Sequence, residues 1–145
     1  MKFKFVEIDN CPECLSEKYE EADQELTLYR LSKSSECQND EFLPYSKLED
    51  KKHFCEKKRN NEIEYCKCFG LSVEIDRDEI LRRHKMMPML GNYIFTMEFD
   101  NKKGKLYLTN SSKWPKHASL FLYEDVEICR LFQKTDELGE KNGSN

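Results

Sequence analysis

The chain has 145 residues, a net charge of −4, 38% hydrophobic residues and 36% charged residues. This length predicts one domain with a modest core, and the mixed charge argues against a surface built to hold phosphate backbones. No segment approaches the roughly 18 apolar residues of a membrane-spanning helix, and residues 1–5 lack the apolar run of a signal peptide. We therefore expect a cytoplasmic domain with reduced thiols and no membrane partner.

The first half of the chain predicts short elements. Apolar residues occupy both odd and even positions within 3–8, which indicates a strand covered on both faces. A polar helix is expected over 16–23 and an alternating strand over 25–31. A capping-box pattern opens a helix over 46–59, and 66–75 is predicted to be extended.

The second half has clearer patterns. Asp76 or Asp78 can cap a helix that must end before Pro88. Strict alternation over 93–99 predicts a half-buried antiparallel strand. Turn-forming residues follow it, so 105–109 is expected to return beside it as a hairpin.

The remaining apolar segments complete the predicted fold. A last strand is expected over 119–123, whereas 126–132 fits a strand or a helix. These elements predict an α+β fold with a mainly antiparallel sheet and two to three short helices. We expect one globular domain over 1–135 and a disordered tail over 136–145.

Two close cysteine pairs predict a structural zinc site. Cys11 and Cys14 have the two-residue spacer that lets one turn present two sulfurs to a metal, and Cys66 and Cys68 form a second close pair. Seven cysteines also leave one unpaired in any full disulfide scheme, which favours metal binding. A zinc ion with four thiolates is closed and cannot activate water. Alternative ligands are Cys37, His53 and Cys55.

A redox function is an alternative interpretation of Cys11-Pro-Glu-Cys14. A dithiol between a strand and a helix resembles the site of thioredoxin-like and glutaredoxin-like proteins over about twenty residues. This resemblance implies thiol–disulfide oxidoreductase activity through Cys11 and Cys14. The predicted helix after Cys14 is short and polar, unlike the helix packed on a sheet in that fold.

Arg30 lies between apolar residues of a predicted strand, where a charge must reach water or pair with an anion. The chain order of Arg30, Ser72 and Glu98 is similar to the Arg–Ser–Glu arrangement of ADP-ribosyltransferases. That resemblance implies NAD binding, but the family's Ser-Thr-Ser and Glu-x-Glu patterns are absent.

Two further residues are candidates for ligand contact. Trp114 and His117 share one predicted loop after a rigid Trp-Pro turn, and loop residues of these types often make contacts with partners. The segment 51–59 is rich in lysine, but Glu56 interrupts it. Nucleic-acid binding through this segment is therefore the less favoured alternative.

These features together predict a zinc-stabilised binding or accessory protein that acts on a protein partner, with an inhibitor-like or immunity-like role among the options. The alternatives are a compact NAD-using enzyme around Arg30 and a thiol-dependent oxidoreductase around Cys11 and Cys14.

Overall fold

A computed structural model describes residues 2–139 and contains one seven-stranded sheet, in which every strand pair is antiparallel. Four short α-helices accompany the sheet in this part of the chain. The predicted α+β class with a mainly antiparallel sheet is confirmed. The strands are β1 (Glu21–Ala22), β2 (Leu26–Ser32), β3 (Leu71–Glu74), β4 (Tyr93–Phe99), β5 (Gly104–Tyr107), β6 (His117–Leu122) and β7 (Gln133–Glu137). The helices are α1 (Lys52–Glu56), α2 (Glu62–Lys67), α3 (Arg77–Met86) and α4 (Ile128–Leu131).

The strongest sequence pattern gives the best-paired strand. β4 has the predicted bounds and pairs with β2 along its whole length, from Leu26 opposite Phe99 to Ser32 opposite Tyr93. Alternate residues of β4, such as Phe95 and Met97, are buried in the main core because side chains alternate between the two faces of a sheet. The predicted strand over 25–31 is confirmed as β2.

The predicted hairpin is wrong. β5 lies between β1 and β6, whereas β4 lies between β2 and β7, in the sheet order β1-β5-β6-β3-β2-β4-β7. The link between β4 and β5 is nevertheless a tight turn, since Lys103 N–H donates to Asp100 O at 3.1 Å. A tight turn brings its two ends within about 7 Å, although these strands are four places apart in the sheet. The sheet must therefore curl, so that β5, second in the order, and β4, sixth in the order, approach each other.

The curled sheet has an inner face and an outer face. The inner face carries the main hydrophobic core, including Leu28, Phe95 and Leu120, and Phe42 and Phe132 pack against it. The outer face carries the alternate residues. Part of it is covered by α3, where Ile80 packs with strand residues, and part by the cysteine-rich segments, which cover Tyr107 and Phe121.

Helix α3 confirms the capping prediction. Its N-cap is Asp76, whose side chain accepts a hydrogen bond from Glu79 N–H at 3.2 Å. The helix ends at Met86, and a 3₁₀ turn begins at Pro88. The later segment 126–132, ambiguous between strand and helix in sequence, contains α4.

Several predictions for the first half are wrong. The segment 3–8 is not a strand, because Phe3 makes one isolated bridge to Tyr123 and Phe5 has a φ of 68°. The expected helix over 16–23 is a 3₁₀ turn over Glu13–Glu17 followed by β1. The expected helix over 46–59 contains α1 and the end of a 3₁₀ turn over Tyr45–Lys47. The expected extended segment over 66–75 is right only in part, because it begins inside α2 and becomes strand at β3.

The sheet extends beyond the predicted domain boundary at residue 135. β7 includes Asp136, which forms an ion pair with Arg77, so this part of the expected tail is strand. Residues 140–145 of that tail lie outside the described residues.

Candidate functional site

The four predicted zinc ligands lie in one hydrophobic cluster, but they are not joined as one metal centre. Cys11 and Cys66 form a disulfide with Cα atoms 5.7 Å apart, whereas Cys14 and Cys68 are buried thiols. Within residues 2–139, no group of three or more His, Cys, Asp or Glu side chains is placed to hold a metal ion. In this disulfide form the residues do not supply the four thiolates that a structural zinc requires, so zinc remains a prediction for the reduced protein.

The helix at residue 66 explains why the second pair separates. Cys66 lies in α2 and Cys68 is its C-cap residue. Residues two apart on a helix differ by about 200° around its axis, whereas residues two apart on a strand share one face. The two sulfurs therefore face different neighbours: Cys66 bonds Cys11, and Cys68 contacts Cys55.

The buried thiols are poorly suited to nucleophilic chemistry. Burial raises the pKa of the Cys68 thiol to about 12, and the nearby Cys55 adds to this rise. Burial also raises the pKa of Cys14 above its ordinary value, with Glu62 next in effect. Because the thiolate is the reactive form, this geometry gives the oxidoreductase interpretation of Cys11 and Cys14 no support.

A second disulfide joins distant parts of the chain. Cys37 and Cys129 have Cα atoms 5.5 Å apart and are separated by 92 positions in sequence. The bond ties the loop after β2 to α4, beside the inner core. The expected cytoplasmic location stays a prediction. The two disulfides argue against it, because a reducing compartment keeps cysteines as free thiols.

Arg30 is a structural side chain in this fold. It projects from the inner face of β2, where its guanidinium donates to Ser72 O at 2.8 Å and to Glu41 O at 3.0 Å. It also stacks over Phe42 at 5.6 Å, and burial lowers the pKa of Arg30 to about 10. Glu98 pairs with Thr27, three residues from Arg30 and so on the opposite face. The structure thus brings Arg30 to the backbone carbonyl of Ser72, whose side chain lies on the outer face, and leaves Glu98 apart.

The other two ligand candidates come together on the outer face. His117 is the first residue of β6, and its backbone N–H donates to the Trp114 carbonyl oxygen at 3.2 Å. The Trp114 ring lies 3.9 Å from the Arg83 guanidinium carbon and 4.2 Å from that of Arg82. Trp114 is therefore folded against α3.

Four polar side chains form a square in the middle of the outer face. Ser72 lies opposite Ser119, and Glu74 lies opposite His117, on the paired strands β3 and β6. We call these four residues the polar square. The residues that alternate with them on the inner face are apolar and buried: Leu71, Val73, Ala118 and Leu120. Placing polar groups here costs stability unless they find partners, so the square needs a physical explanation.

Hydrogen bonds satisfy one half of the polar square. Ser119 Oγ lies 2.8 Å from Thr109 Oγ1, which lies 2.9 Å from His117 Nδ1. The same Nδ1 also lies 3.2 Å from Thr109 O, which can only accept a hydrogen bond. Nδ1 therefore carries the proton, and Nε2 of a neutral His117 carries a lone pair.

The other half is a buried carboxyl with an incomplete set of partners. Glu74 is 2% exposed, and its Oε2 lies 2.8 Å from Arg83 Nε. The Arg83 Nε–H is not aligned with any described acceptor, and no donor among the described residues bonds Glu74 Oε1. A protonated Glu74 can instead donate to the Glu79 carboxylate, with which it shares a side-chain hydrogen bond. Glu79 lies beside it and is itself held by Arg82 and by the Lys116 N–H.

Burial shifts both titratable members of the square toward their neutral forms. Desolvation raises the pKa of Glu74 to about 7, although the charge of Arg83 opposes the rise. Desolvation lowers the pKa of His117 to about 4, and the positive charges of Arg83 and Lys67 contribute. Both shifts follow because burial disfavours a charged group.

Sequence reasoning missed Glu74 and Arg83. The signal was present, since polar Ser72 and Glu74 alternate with apolar Leu71 and Val73. Such alternation ordinarily predicts a solvent-exposed face, and only the packing of α3 across that face shows Glu74 to be buried.

A separate surface region combines exposed aromatic and basic side chains. Tyr45 is 44% exposed and Phe54 is 46% exposed. Lys51 lies over the Tyr45 ring at 5.7 Å and Lys57 over the Phe54 ring at 5.8 Å, while the His53 and Phe54 rings are 3.9 Å apart. We call these five residues the aromatic–lysine patch.

Comparison with known proteins gives no family assignment: no protein-family model, curated protein or solved structure matches this chain. In the part of the chain that the structure describes, no helix has the length and apolar character needed to span a membrane.

Proposed function

We propose that this protein is a small binding domain that docks an acidic segment of a protein partner on the aromatic–lysine patch. The two disulfides would brace the domain in its oxidised form, and the predicted zinc would brace the same cysteine-rich segment in its reduced form. The role is that of an accessory or inhibitor-like protein, which needs a stable surface rather than a catalytic centre.

The exposed aromatic rings are the observation that carries the proposal. Phe54 exposes nearly half of its surface, although the cluster around Cys55, the next residue, is buried. Tyr45 is similarly exposed. Aromatic side chains at a protein interface bury large areas at low conformational cost and are enriched among the residues that dominate binding.

The local charge selects the chemistry of the partner. Residues 45–59 contain six basic and three acidic residues, although the whole chain carries a net charge of −4. Lys52 and Arg59 are paired with Glu49 and Glu56, respectively. Lys51 and Lys57 form no ion pair within residues 2–139 and instead lie over aromatic rings. Acidic side chains with an apolar anchor complement this arrangement.

A protein segment fits this surface better than a nucleic acid. The three acidic residues within 45–59 repel a continuous phosphate backbone, and two of them neutralise nearby cations. Few cations are therefore available to release counterions from a nucleic acid, which is the main source of such affinity. An acidic peptide needs only local complementarity.

A matched pair of surface variants tests the proposal. Tyr45→Ala/Phe54→Ala removes the patch, whereas Met86→Ala/Met89→Ala removes two other exposed apolar side chains, which are 49% and 64% exposed. Immobilised wild type is used to capture partners from extract, and the captured protein is then purified and its affinity measured for each variant. Loss of each aromatic anchor should weaken binding by about tenfold or more, with the control little changed.

Three results would overturn the proposal. Equal affinity of the patch variant and the wild type would exclude the patch. Capture that disappears after nuclease treatment would instead identify a nucleic-acid ligand. Failure to reconstitute any direct complex from purified components would show that capture was indirect. Far-UV circular dichroism and thermal unfolding confirm that each variant is folded.

A further inference from the structure

We propose that oxidation joins Cys55 and Cys68 in a third disulfide, so that the fully oxidised protein carries three disulfides and one free thiol, Cys14. In the structure Cys55 and Cys68 are buried thiols. The new bond ties α1 to the end of α2. Its formation does not depend on the docking function proposed above.

The two thiols already face each other. Cys55 lies in α1, Cys68 is the C-cap residue of α2, and their side chains share a hydrogen bond. The Ser46 backbone N–H, in the 3₁₀ turn that precedes α1, donates to the Cys68 carbonyl oxygen at 3.0 Å and holds the same two segments together. A disulfide needs Cβ atoms about 4 Å apart, so two thiols in contact need only a small rotation. Cys55 also lines a small cavity, which gives its sulfur room for that rotation.

The other cysteines leave this pair without a competing partner. Four of them are already joined in the two disulfides of the structure. Cys14 lies at the opposite end of α2, where its Sγ is 3.9 Å from Glu62 O. Between Glu62 and Cys68 the chain rises about 9 Å along the helix axis. Three pairs and one unpaired Cys14 therefore account for all seven cysteines.

The oxidant is a small-molecule disulfide such as oxidised glutathione. One protein thiolate attacks the glutathione disulfide, which forms a mixed disulfide and releases one glutathione. The second thiolate attacks the protein sulfur of the mixed disulfide, forms the new bond and releases the second glutathione. The two electrons and two protons lost by the protein thiols end on the two glutathione thiols. Because folding buries both cysteines, this reaction belongs to the stage of folding at which α1 is still open.

The bond would fix a short helix on the protein surface. α1 has five residues, and a helix of this length is marginal unless packing or a covalent link holds it. It contains Phe54, and Lys57 is its C-cap residue, so fixing α1 also fixes these members of the aromatic–lysine patch. This last consequence rests on the proposed function: oxidation would order the docking surface in advance, which lowers the entropy cost of binding.

Disulfide mapping tests the bond. The reduced, unfolded protein is refolded with reduced and oxidised glutathione, free thiols are blocked with N-ethylmaleimide in denaturant, and the protein is digested with trypsin. Trypsin separates Cys55, in peptide 53–57, from Cys68, in peptide 68–77. We expect these two peptides joined to each other, and one N-ethylmaleimide adduct per protein, at Cys14. Adducts on both peptides of the refolded wild type, or either peptide joined elsewhere, would overturn the proposal.

Matched serine variants test what the bond does. Cys14→Ser should keep the link between peptides 53–57 and 68–77 and carry no adduct, whereas Cys55→Ser should gain a second adduct, at Cys68. Hydrogen exchange of α1 amides should be at least about tenfold faster in Cys55→Ser than in Cys14→Ser, with similar exchange of α3 in both. Equal exchange of α1 would overturn the proposed bracing of this helix. Because neither measurement uses a partner, failure of the docking proposal would leave these results unchanged.

Discussion

Two groups, Glu74 and His117, have opposing pH effects on folding stability. Replacing Glu74 by Gln should remove the first effect and leave the second. Glu74 keeps its proton in the folded protein up to a pKa of about 7, whereas the ordinary pKa is 4.5. Between these values the folded state binds more protons than the unfolded state. This contribution to stability is therefore present below pH 4.5 and is lost as the pH rises to 7.

His117 contributes a pH effect of the opposite sign. Its pKa is about 4 in the folded protein, against an ordinary pKa of 6.5, so the unfolded imidazole takes up a proton first as the pH falls. This contribution is present above pH 6.5 and is lost as the pH falls to 4. Each shift corresponds to about 3 kcal/mol, since one pKa unit is about 1.4 kcal/mol. In the wild type the two effects nearly cancel between pH 4.5 and pH 6.5.

Urea unfolding at pH 4.5, 5.5 and 6.5, with disulfides intact, measures this balance. Relative to the wild type, Glu74→Gln should gain about 3 kcal/mol of unfolding free energy across this range, because Gln mimics the protonated carboxyl and leaves only the His117 effect. His117→Gln should lose a similar amount across the same range.

The double variant Glu74→Gln/His117→Gln should regain the wild-type dependence on pH. Carboxylates elsewhere contribute equally to every variant and cancel in the differences. Parallel stability curves for Glu74→Gln and the wild type would refute the reasoning, because they would show that Glu74 titrates normally in the folded protein.

Three further variants test the fold. Removing one disulfide with Cys37→Ser/Cys129→Ser should cost about 4–5 kcal/mol of unfolding free energy in urea titrations, because that bond closes a 92-residue span; no loss would argue against the bond. Asp76→Ala should cost about 1 kcal/mol in thermal unfolding through loss of the α3 N-cap, and the exposed Asp78→Ala should cost less; equal losses would contradict the cap. Gly91→Ala should cost about 2 kcal/mol or more, since Gly91 has a φ of 119° and an added Cβ would meet a backbone oxygen at 2.1 Å; an unchanged melting temperature would refute this.

Elements specified by local chemistry were predictable from the sequence. The β4 strand follows from alternation over 93–99, and α3 follows from the Asp76 cap and the stop at Pro88. In each case the information lies within a few residues of the element, and tertiary packing agrees with it.

Pairing between distant segments was not predictable in the same way. Turn residues after β4 correctly indicated a tight turn, but they do not determine which strand becomes the partner of β5. That choice depends on the curl of the whole sheet around one core, to which Phe95 and Leu106 contribute from separated strands. No local pattern encodes this approach.

The cysteine cluster, the polar square and the aromatic–lysine patch show the same limit of sequence-based prediction. The cysteine spacing correctly placed Cys11 and Cys66 in one cluster, but a helix at Cys66 rather than a strand changed which sulfurs meet. Glu74 could not be recognised as buried until Arg83 and the Trp114 loop were known to cover it. Exposure of Phe54 was equally hidden, because an aromatic residue next to Cys55 is more often buried.

Site-specific photocrosslinking at residue 54 tests the proposed docking surface most directly. A photoreactive benzoyl-phenylalanine replaces Phe54 in one protein and Met89 in a control, since both side chains are exposed. We predict a nuclease-resistant protein adduct at position 54, with the crosslinked peptide rich in Asp and Glu, and no such adduct at position 89. No adduct at position 54, the same adduct at both positions, or an adduct to nucleic acid would contradict the account.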